Sequence, residues 1–348
     1  MTLSRTCRAL GMALLGAWTL LLACSCGEAP AAPGAGGAQG APRSEPIAVV
    51  ATIGMIADVA REIGGPRVRV SALMGEGVDP HLYKASPGDL RLLSDADLVL
   101  YNGLHLEGRL ADALVRLSSR TRVVQVTDSI PEERLREPPE FDGHFDPHVW
   151  FDVELWSIVA QRIESALAES DPAGRAHYAE RGERYRSRLD DLHRSIAADL
   201  ATIPAERRLL ITAHDAFGYF GRAYGIEVMA IQGISTDSEA SLRDMNALVD
   251  TLVSRRVPAV FVESSVPRKT IEALVEACRA RGHTVTIGGE LYSDAMGPDN
   301  TPEGTYIGMV RHNVDAVVRA LGGAIAPASP AAQPDSAGSS SKAEPAAR

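Results

Sequence analysis

The chain has 348 residues, a formal net charge of −10 and a sequence pI of about 5.4. That acidic balance argues against a nucleic-acid partner and is compatible with gathering cations, although simple solubility accounts for most of the charges. Four cysteines, Cys7, Cys24, Cys26 and Cys278, are too scattered for a disulfide framework.

At the N-terminus, Arg5 and Arg8 precede the apolar stretch 10–23, which is too short for a comfortable membrane span. Leu21-Leu22-Ala23-Cys24 resembles a bacterial lipobox, in which Cys24 would be acylated and become the new N-terminus. Cleavage before Cys26 fits less well, and a plain secretory signal is the alternative reading. Residues 1–23 thus read as a signal peptide and 24–45, rich in Ala, Gly and Pro, as a lipidated flexible tether. Acyl chains on Cys24 would hold the protein to a bilayer without a helix crossing it. Residues 324–348 share the tether's composition and read as a disordered tail.

Between the tails, residues 46–323 are too many for one small core and suit two lobes. Ile47–Ile53 is a β-rich run, followed by helical apolar spacing over Met55–Ile63 and a stop at Gly64-Gly65. Further strands are predicted at Val68–Met74, Asp97–Tyr101 and Arg122–Val126, with a helix over Leu106–Leu117. The second half repeats the plan with strands Arg208–Thr212, Glu227–Ile231, Ala259–Val262 and Thr284–Ile287. Helices Leu242–Arg255 and Lys269–Arg281 separate the last three, and Cys278 falls on the apolar stripe of the second. Short buried strands alternating with helices indicate parallel sheets.

Between the halves, Ser170-Asp171-Pro172 reads as a cap with proline in the first turn. Tyr178, Tyr185, Leu189, Leu192, Ile196 and Leu200 then form one apolar stripe, which Pro204 ends. A continuous helix over 172–203 would span roughly 48 Å at about 1.5 Å per residue. The other possibility is two helices broken at Gly182. We favour the single strut. The expected fold class is α/β, with two lobes of mostly parallel sheet flanked by helices and joined by one long rigid helix. Its boundaries are an N-terminal lobe at 46–171, the linking helix at 172–206 and a C-terminal lobe at 207–323.

Four residues stand out beside this scaffold: His81, His148, His214 and Asp294. Three imidazole nitrogens and one carboxylate suit a transition metal such as Zn²⁺ or Mn²⁺. His81 and His214 follow predicted strands directly, and Asp294 follows one through a short loop, where ligands of open α/β sheets gather. His148 opens a predicted helix in Asp146-Pro147-His148. A solitary loop histidine is more often ordinary surface, and no pair here has the local spacing of a self-announcing site. Two Asp-Pro-His tripeptides strengthen the set, and Asp79 and Asp146 are candidates either for holding an imidazole N–H or for capping. His105 reads as structural, His177 and His193 as solvated, and His283 and His312 as surface or helix packing. His144 is a candidate auxiliary metal contact.

The stretches DPHLYKASPGDL (79–90), YNGLHLEG (101–108), DPHVWFDV (146–153), ITAHDAFGYFGRAYGI (211–226), QGISTDSEAS (232–241), FVESSVPRKTIE (261–272) and GGELYSDAMG (288–297) carry a resemblance. In their order the chain resembles the substrate-binding lipoproteins of ABC importers for zinc and manganese, the cluster A-I (cluster 9) family. The resemblance implies two α/β lobes joined by one long helix, with a single Zn²⁺ or Mn²⁺ held between them by His81, His148, His214 and Asp294. It also implies an ABC permease in the inner membrane as partner; a monomer is the default expectation, anchored outside the cytoplasm through Cys24. Zinc-dedicated members often carry a long His- and acid-rich loop before the second histidine, whereas 131–145 here is short and holds only His144. Many manganese-dedicated members carry Glu at the third position, where this chain has His214.

Two rival functions have weaker support. A metallohydrolase would keep an open position for water beside three ligands, and no G-x-S-x-G, Walker A or H-E-x-x-H sequence is present. Glu263 is its one nominee for a base and equally suits a structural carboxylate. A surface adhesin is supported only by the tether and the acyl anchor. The expected function is capture and delivery, with no chemistry on the metal.

Overall fold

The computed structural model describes residues 45–141, 143–237 and 241–325. The expected leader, the acylated Cys24 and nearly all of both tails lie outside these residues. Ala324 and Ile325, the first residues of the expected C-terminal tail, are described and contact the fold. Ala324 N donates to Thr202 Oγ1 at 2.8 Å, the Thr202 hydroxyl donates back to Ala324 O at 2.9 Å, and Ile325 packs on the core.

The N-terminal lobe is a four-stranded parallel sheet ordered β2-β1-β3-β4, built from β1 (Ile47–Ala51), β2 (Val68–Ala72), β3 (Leu98–Tyr101) and β4 (Arg122–Gln125). Its helices are α1 (Gly54–Gly64), α2 (Pro87–Ser94) and α3 (Ala111–Leu117). Helix α2 was not predicted, although Ser86 and Asp89 form a capping box around Pro87. The predicted helix over Leu106–Leu117 starts only at Ala111. Before it, Gly103, Leu104 and His105 all have positive φ, a left-handed turn that costs about 1–2 kcal/mol per non-glycine residue. The buried Glu107 carboxylate holds that turn, accepting from Asn102 N at 2.7 Å, Gly103 N at 3.0 Å and Thr52 Oγ1 at 2.6 Å.

Helices α4 (Val153–Ser170) and α5 (Arg175–Ala201) follow and pack against one another. Helix α5 runs unbroken through Gly182 for 27 residues, about 40 Å at 1.5 Å per residue. A side chain at Gly182 would collide with Glu164 of α4, so the glycine permits close approach rather than a break. The predicted stripe from Tyr178 to Leu200 is the buried face. Asp171 does not cap with its side chain. It accepts from Arg67 Nε at 2.8 Å and Tyr178 Oη at 2.7 Å, pinning the α4–α5 turn to the N-terminal lobe.

The C-terminal lobe contains β5 (Leu209–His214), α6 (Gly218–Tyr224), β6 (Glu227–Gln232), α7 (Leu242–Arg255), β7 (Ala259–Glu263), α8 (Lys269–Ala280) and β8 (Thr286–Leu291). Strands β5 and β6 are parallel, as are β7 and β8, and the two pairs lie side by side through β5 and β7. Strand β8 starts and ends later than predicted, because Gly289, Glu290 and Leu291 pair with β7 instead of forming a loop; Gly288 falls at a bulge in that register, where a Cβ would crowd Phe261 and Ala320. Cys278 is buried on the inner face of α8, as its stripe predicts.

Helix α9 (Tyr306–Ala320), which the sequence reading did not identify, crosses back to α1 and α5. Tyr306 N donates to Asp58 Oδ2 at 2.9 Å, and Tyr306 Oη donates to Trp150 O at 2.7 Å. One hydrophobic cluster therefore runs from Ile47 to Leu321, through both lobes and the strut. The lobes are fastened twice, by α5 and by α9. Among the described residues no helix is long and apolar enough to cross a membrane.

Candidate metal centre

His81 sits in the turns that follow β2, where Asp79 Oδ1 accepts from the His81 backbone N–H at 2.9 Å. The other oxygen of Asp79 accepts from Thr236 Oγ1 at 2.6 Å, across the lobes. Asp79 therefore shapes the turn and does not touch the imidazole. Asp146 does. Its Oδ1 accepts from both His148 N at 3.0 Å and His148 Nδ1 at 2.8 Å, which directs Nε2 of that ring the other way. His148 precedes a 3-10 turn, Val149–Phe151, rather than opening a helix; α4 begins at Val153 with Asp152 as its cap.

His214 is the last residue of β5 rather than part of the loop beyond it. Its Nδ1 faces Glu263 Oε2 at 2.5 Å, while Glu263 Oε1 accepts from Ala213 N at 2.7 Å and His214 N at 2.9 Å. Glu263 is thus the carboxylate that orients His214, a specific form of the structural role the sequence allowed it, although its partner was not identified there. The available clue was an acidic residue at the end of a strand predicted as apolar. Asp294 follows β8, in a loop held by Asn313 of α9, which bonds Tyr292 N at 2.9 Å and Tyr292 O at 2.7 Å. Trp150 Nε1 donates to Ser293 O at 3.0 Å, so both lobes contact that loop.

The four predicted residues meet. Their ligand atoms all lie within 4.8 Å of one another, and all four residues are buried. Nε2 of His81 and of His148 are 3.3 Å apart. Asp294 Oδ1 lies 3.4 Å from His148 Nε2, and Oδ2 lies 3.3 Å from His214 Nε2 and 3.9 Å from His81 Nε2. A tetrahedron with metal–nitrogen bonds of about 2.0–2.1 Å has edges of roughly 3.3–3.4 Å, the spacing of three of these four contacts. His214 Nε2 and Asp294 Oδ1 have no hydrogen-bond partner among the described residues, although both are buried. Buried polar atoms without partners are costly, and a cation between them would satisfy both.

Electrostatics separate the rings. Burial holds His81 down at about 3, against the pull of Asp294, so that ring is neutral. Burial also pushes His148 down, but Asp146 and Asp294 outweigh it and raise it to about 9. His214 is raised well above its usual value, burial being overcome by Glu263 and Asp294. Asp294 is held well below the carboxylate range, since the facing imidazoles overcome its burial. Without metal, protons on His148 and His214 therefore balance the buried carboxylates. A divalent cation replacing those two protons leaves the charge of the pocket unchanged.

The remaining histidines lie outside this group. His105 and His144 are both exposed, with ring centroids 4.0 Å apart at the rim of a cavity of about 490 Å³. Among the described residues His144 belongs to no metal-ligand group, so its auxiliary role has no support there. His177 and His193, expected to be solvated, are half-buried and bonded to Gly64 O at 3.0 Å and Tyr224 Oη at 3.2 Å. His283 and His312 bond the carbonyls of Val257 and Glu290, consistent with packing roles.

The model of the ZnuA family, "Zinc-uptake complex component A periplasmic", matches residues 49–320. The zinc-binding protein TroA of Treponema pallidum (strain Nichols) is 50% identical over 273 residues, covering 78% of this chain and 88% of the relative. The manganese-binding lipoprotein MntA of Bacillus subtilis (strain 168) is 48% identical over 276 residues, covering 79% of this chain and 90% of the relative. The solved structure of the periplasmic zinc binding protein TroA from Treponema pallidum superposes with a TM-score of 0.77 at 49% identity, over 79% of this chain and 99% of that one. Fe(III)-bound YtgA from Chlamydia trachomatis superposes with a TM-score of 0.73 at 26% identity, over 81% of this chain and all of that one. With two α/β lobes, a long connecting helix and a family match spanning most of its length, the chain belongs to the ZnuA family of periplasmic zinc-uptake components.

Proposed function

We propose that the protein captures Zn²⁺ or Mn²⁺ outside the cytoplasm and delivers it to an ABC permease. In this reading His81 and His148 from the N-terminal lobe and His214 and Asp294 from the C-terminal lobe hold one ion in the cleft. The observation that carries it is the convergence of four buried donor atoms within 4.8 Å, two of them without hydrogen-bond partners. Four protein donors close a tetrahedral shell, which removes the open position that a catalytic zinc keeps for water. The proposed outcome is tight capture without turnover.

The donor set accommodates both metals. Three nitrogens and one carboxylate suit Zn²⁺, which also binds such sites more strongly than Mn²⁺. Both oxygens of Asp294 face the rings, so bidentate binding would raise the coordination number toward what Mn²⁺ accepts. The relatives divide in the same way, TroA being named zinc-binding and MntA manganese-binding.

The domain plan we propose is an N-terminal lobe at 46–171, a linking helix at 172–206 and a C-terminal lobe at 207–323. After removal of a signal peptide, an acylated Cys24 would tether the monomer to the membrane. With the lobes joined by both α5 and α9, release proceeds through small tilts and movement of the Asp294 loop rather than wide hinge closure. Solution scattering on metal-free and metal-loaded protein should give nearly equal radii, and a large difference would remove the rigid-strut part of the proposal. The primary test is metal analysis of the protein purified from cells without a tag, followed by Zn²⁺/Mn²⁺ competition. Alanine at His81, His148, His214 or Asp294 should weaken binding in each case. Wild-type affinity in His214→Ala would show that the third ligand is misassigned.

A further inference from the structure

We infer that Arg136 is a positioning residue that couples the His148 turn of the N-terminal lobe to the segment directly after His214 in the C-terminal lobe; this rests on reading the four-residue group as a metal site. Arg136 lies in the irregular segment before His148. Its Nη1 pairs with Asp146 Oδ2, the oxygen of that carboxylate not used by His148. Asp146 is fully buried, and a buried carboxylate needs such a partner. Backbone bonds lock the two residues together: Asp146 N donates to Arg136 O at 2.8 Å.

The same guanidinium reaches the other lobe. It crosses Gly218, the first residue of α6, so closely that an added Cβ would overlap Nη1. It also lies 5.7 Å from the ring centroid of Tyr219 and 4.0 Å from Asp215 Oδ2, the residue directly after His214. Tyr219 completes the link, since its hydroxyl accepts from Arg136 N at 3.0 Å and donates to Asp146 O at 2.9 Å. One planar cation therefore touches the carboxylate that aims His148 and the turn that follows His214. A movement of α6 away from the N-terminal lobe removes the Gly218 backbone and the Tyr219 ring that pack the guanidinium against Asp146, and so loosens the aim of His148. Lysine, a point charge without the fork, cannot satisfy both sides.

The test measures the rate of Zn²⁺ release to a chelator, with the melting temperature of the metal-free protein as control. Arg136→Gln should release Zn²⁺ about 10–100-fold faster, the range usual for loss of a residue behind a ligand, and Arg136→Lys should recover part of the difference. Gly218→Ala lies in the opposite lobe and leaves Arg136 and Asp146 intact, yet should give the same acceleration by displacing the guanidinium. The double variant should release no faster than either single one, because both remove one interaction. If Arg136→Gln does not fold, the Arg136→Lys and Gly218→Ala pair carries the same comparison. A lowered metal-free melting temperature with an unchanged release rate would mark the ion pair as merely structural and overturn the inference. Multiplying effects in the double variant would overturn it as well. Wild-type protein that binds neither Zn²⁺ nor Mn²⁺ would instead overturn the metal-site reading beneath it.

Discussion

Two groups of histidines in this chain sit in opposite surroundings. His81, His148 and His214 are buried around Asp294, whereas His105 and His144 are exposed and rest against each other. Within the buried group, His148 and His214 each have a carboxylate behind the ring, Asp146 and Glu263, and His81 has none. Neither exposed ring is hydrogen-bonded to a carboxylate among the described residues. The contrast separates surroundings that would suit an imidazole to a metal from those that would not. Burial removes competing water, a carboxylate fixes the ring and its tautomer, and convergence supplies the rest of the shell.

Asp294→Ala should break the contrast most severely, because Asp294 is the one carboxylate facing all three rings. Chelator competition should show a loss beyond the roughly 100-fold reached when a residue behind a ligand is removed. Binding within tenfold of wild type would remove Asp294 from the shell.

Acidity should act nearly as strongly. His148, held at about 9, and His214, held well above the ordinary imidazole range by Glu263 and Asp294, must both lose protons to bind metal. The logarithm of affinity should therefore fall with a slope approaching two below about pH 9. The same protons stabilise the metal-free fold. For His148 that contribution is full below the unfolded imidazole value of about 6.5 and is lost as pH rises through about 9, and the raised His214 acts in the same direction. His81, held at about 3, acts in reverse and costs stability as pH falls below about 6.5. The metal-free melting temperature should therefore peak near neutral or slightly acidic pH. A steady rise from pH 6.5 to 9 would contradict the protonated pocket.

Glu263→Gln and Asp146→Asn sharpen the comparison inside the buried group. Each should cost about 10–100-fold in affinity by titration, while Asp79→Asn, which touches no ring, should cost less. An equal loss in all three would mean that orientation of the ring is not what the carboxylates supply. The smallest effect is expected at the exposed pair, where His105→Ala and His144→Ala should bind metal as the wild type does. A drop in either variant would restore His144 as an auxiliary contact.

Much of this organisation was legible in the chain. The strand runs, the α5 stripe and the paired Asp-Pro-His segments name most elements and all four members of the buried group, because periodicity and turn chemistry are local. The resemblance to a known family then supplied their grouping, which spacing alone left open. What escaped the reading depended on distant partners. The left-handed turn at 103–105 is held by Glu107, and α9 is used to clamp α1, α5 and the Asp294 loop. Glu263 and Arg136 reveal their roles only through His214 and Asp146.

Residue types and their order along the chain set which donors exist, which segments are rigid and where the turns bearing the histidines fall, since each follows from near-neighbour sterics and apolar periodicity. Which carboxylate backs which imidazole, and which rings carry protons, was settled by packing. Those properties arise from burial and from charges brought within a few ångströms by residues far apart in the chain, and no local pattern encodes that distance.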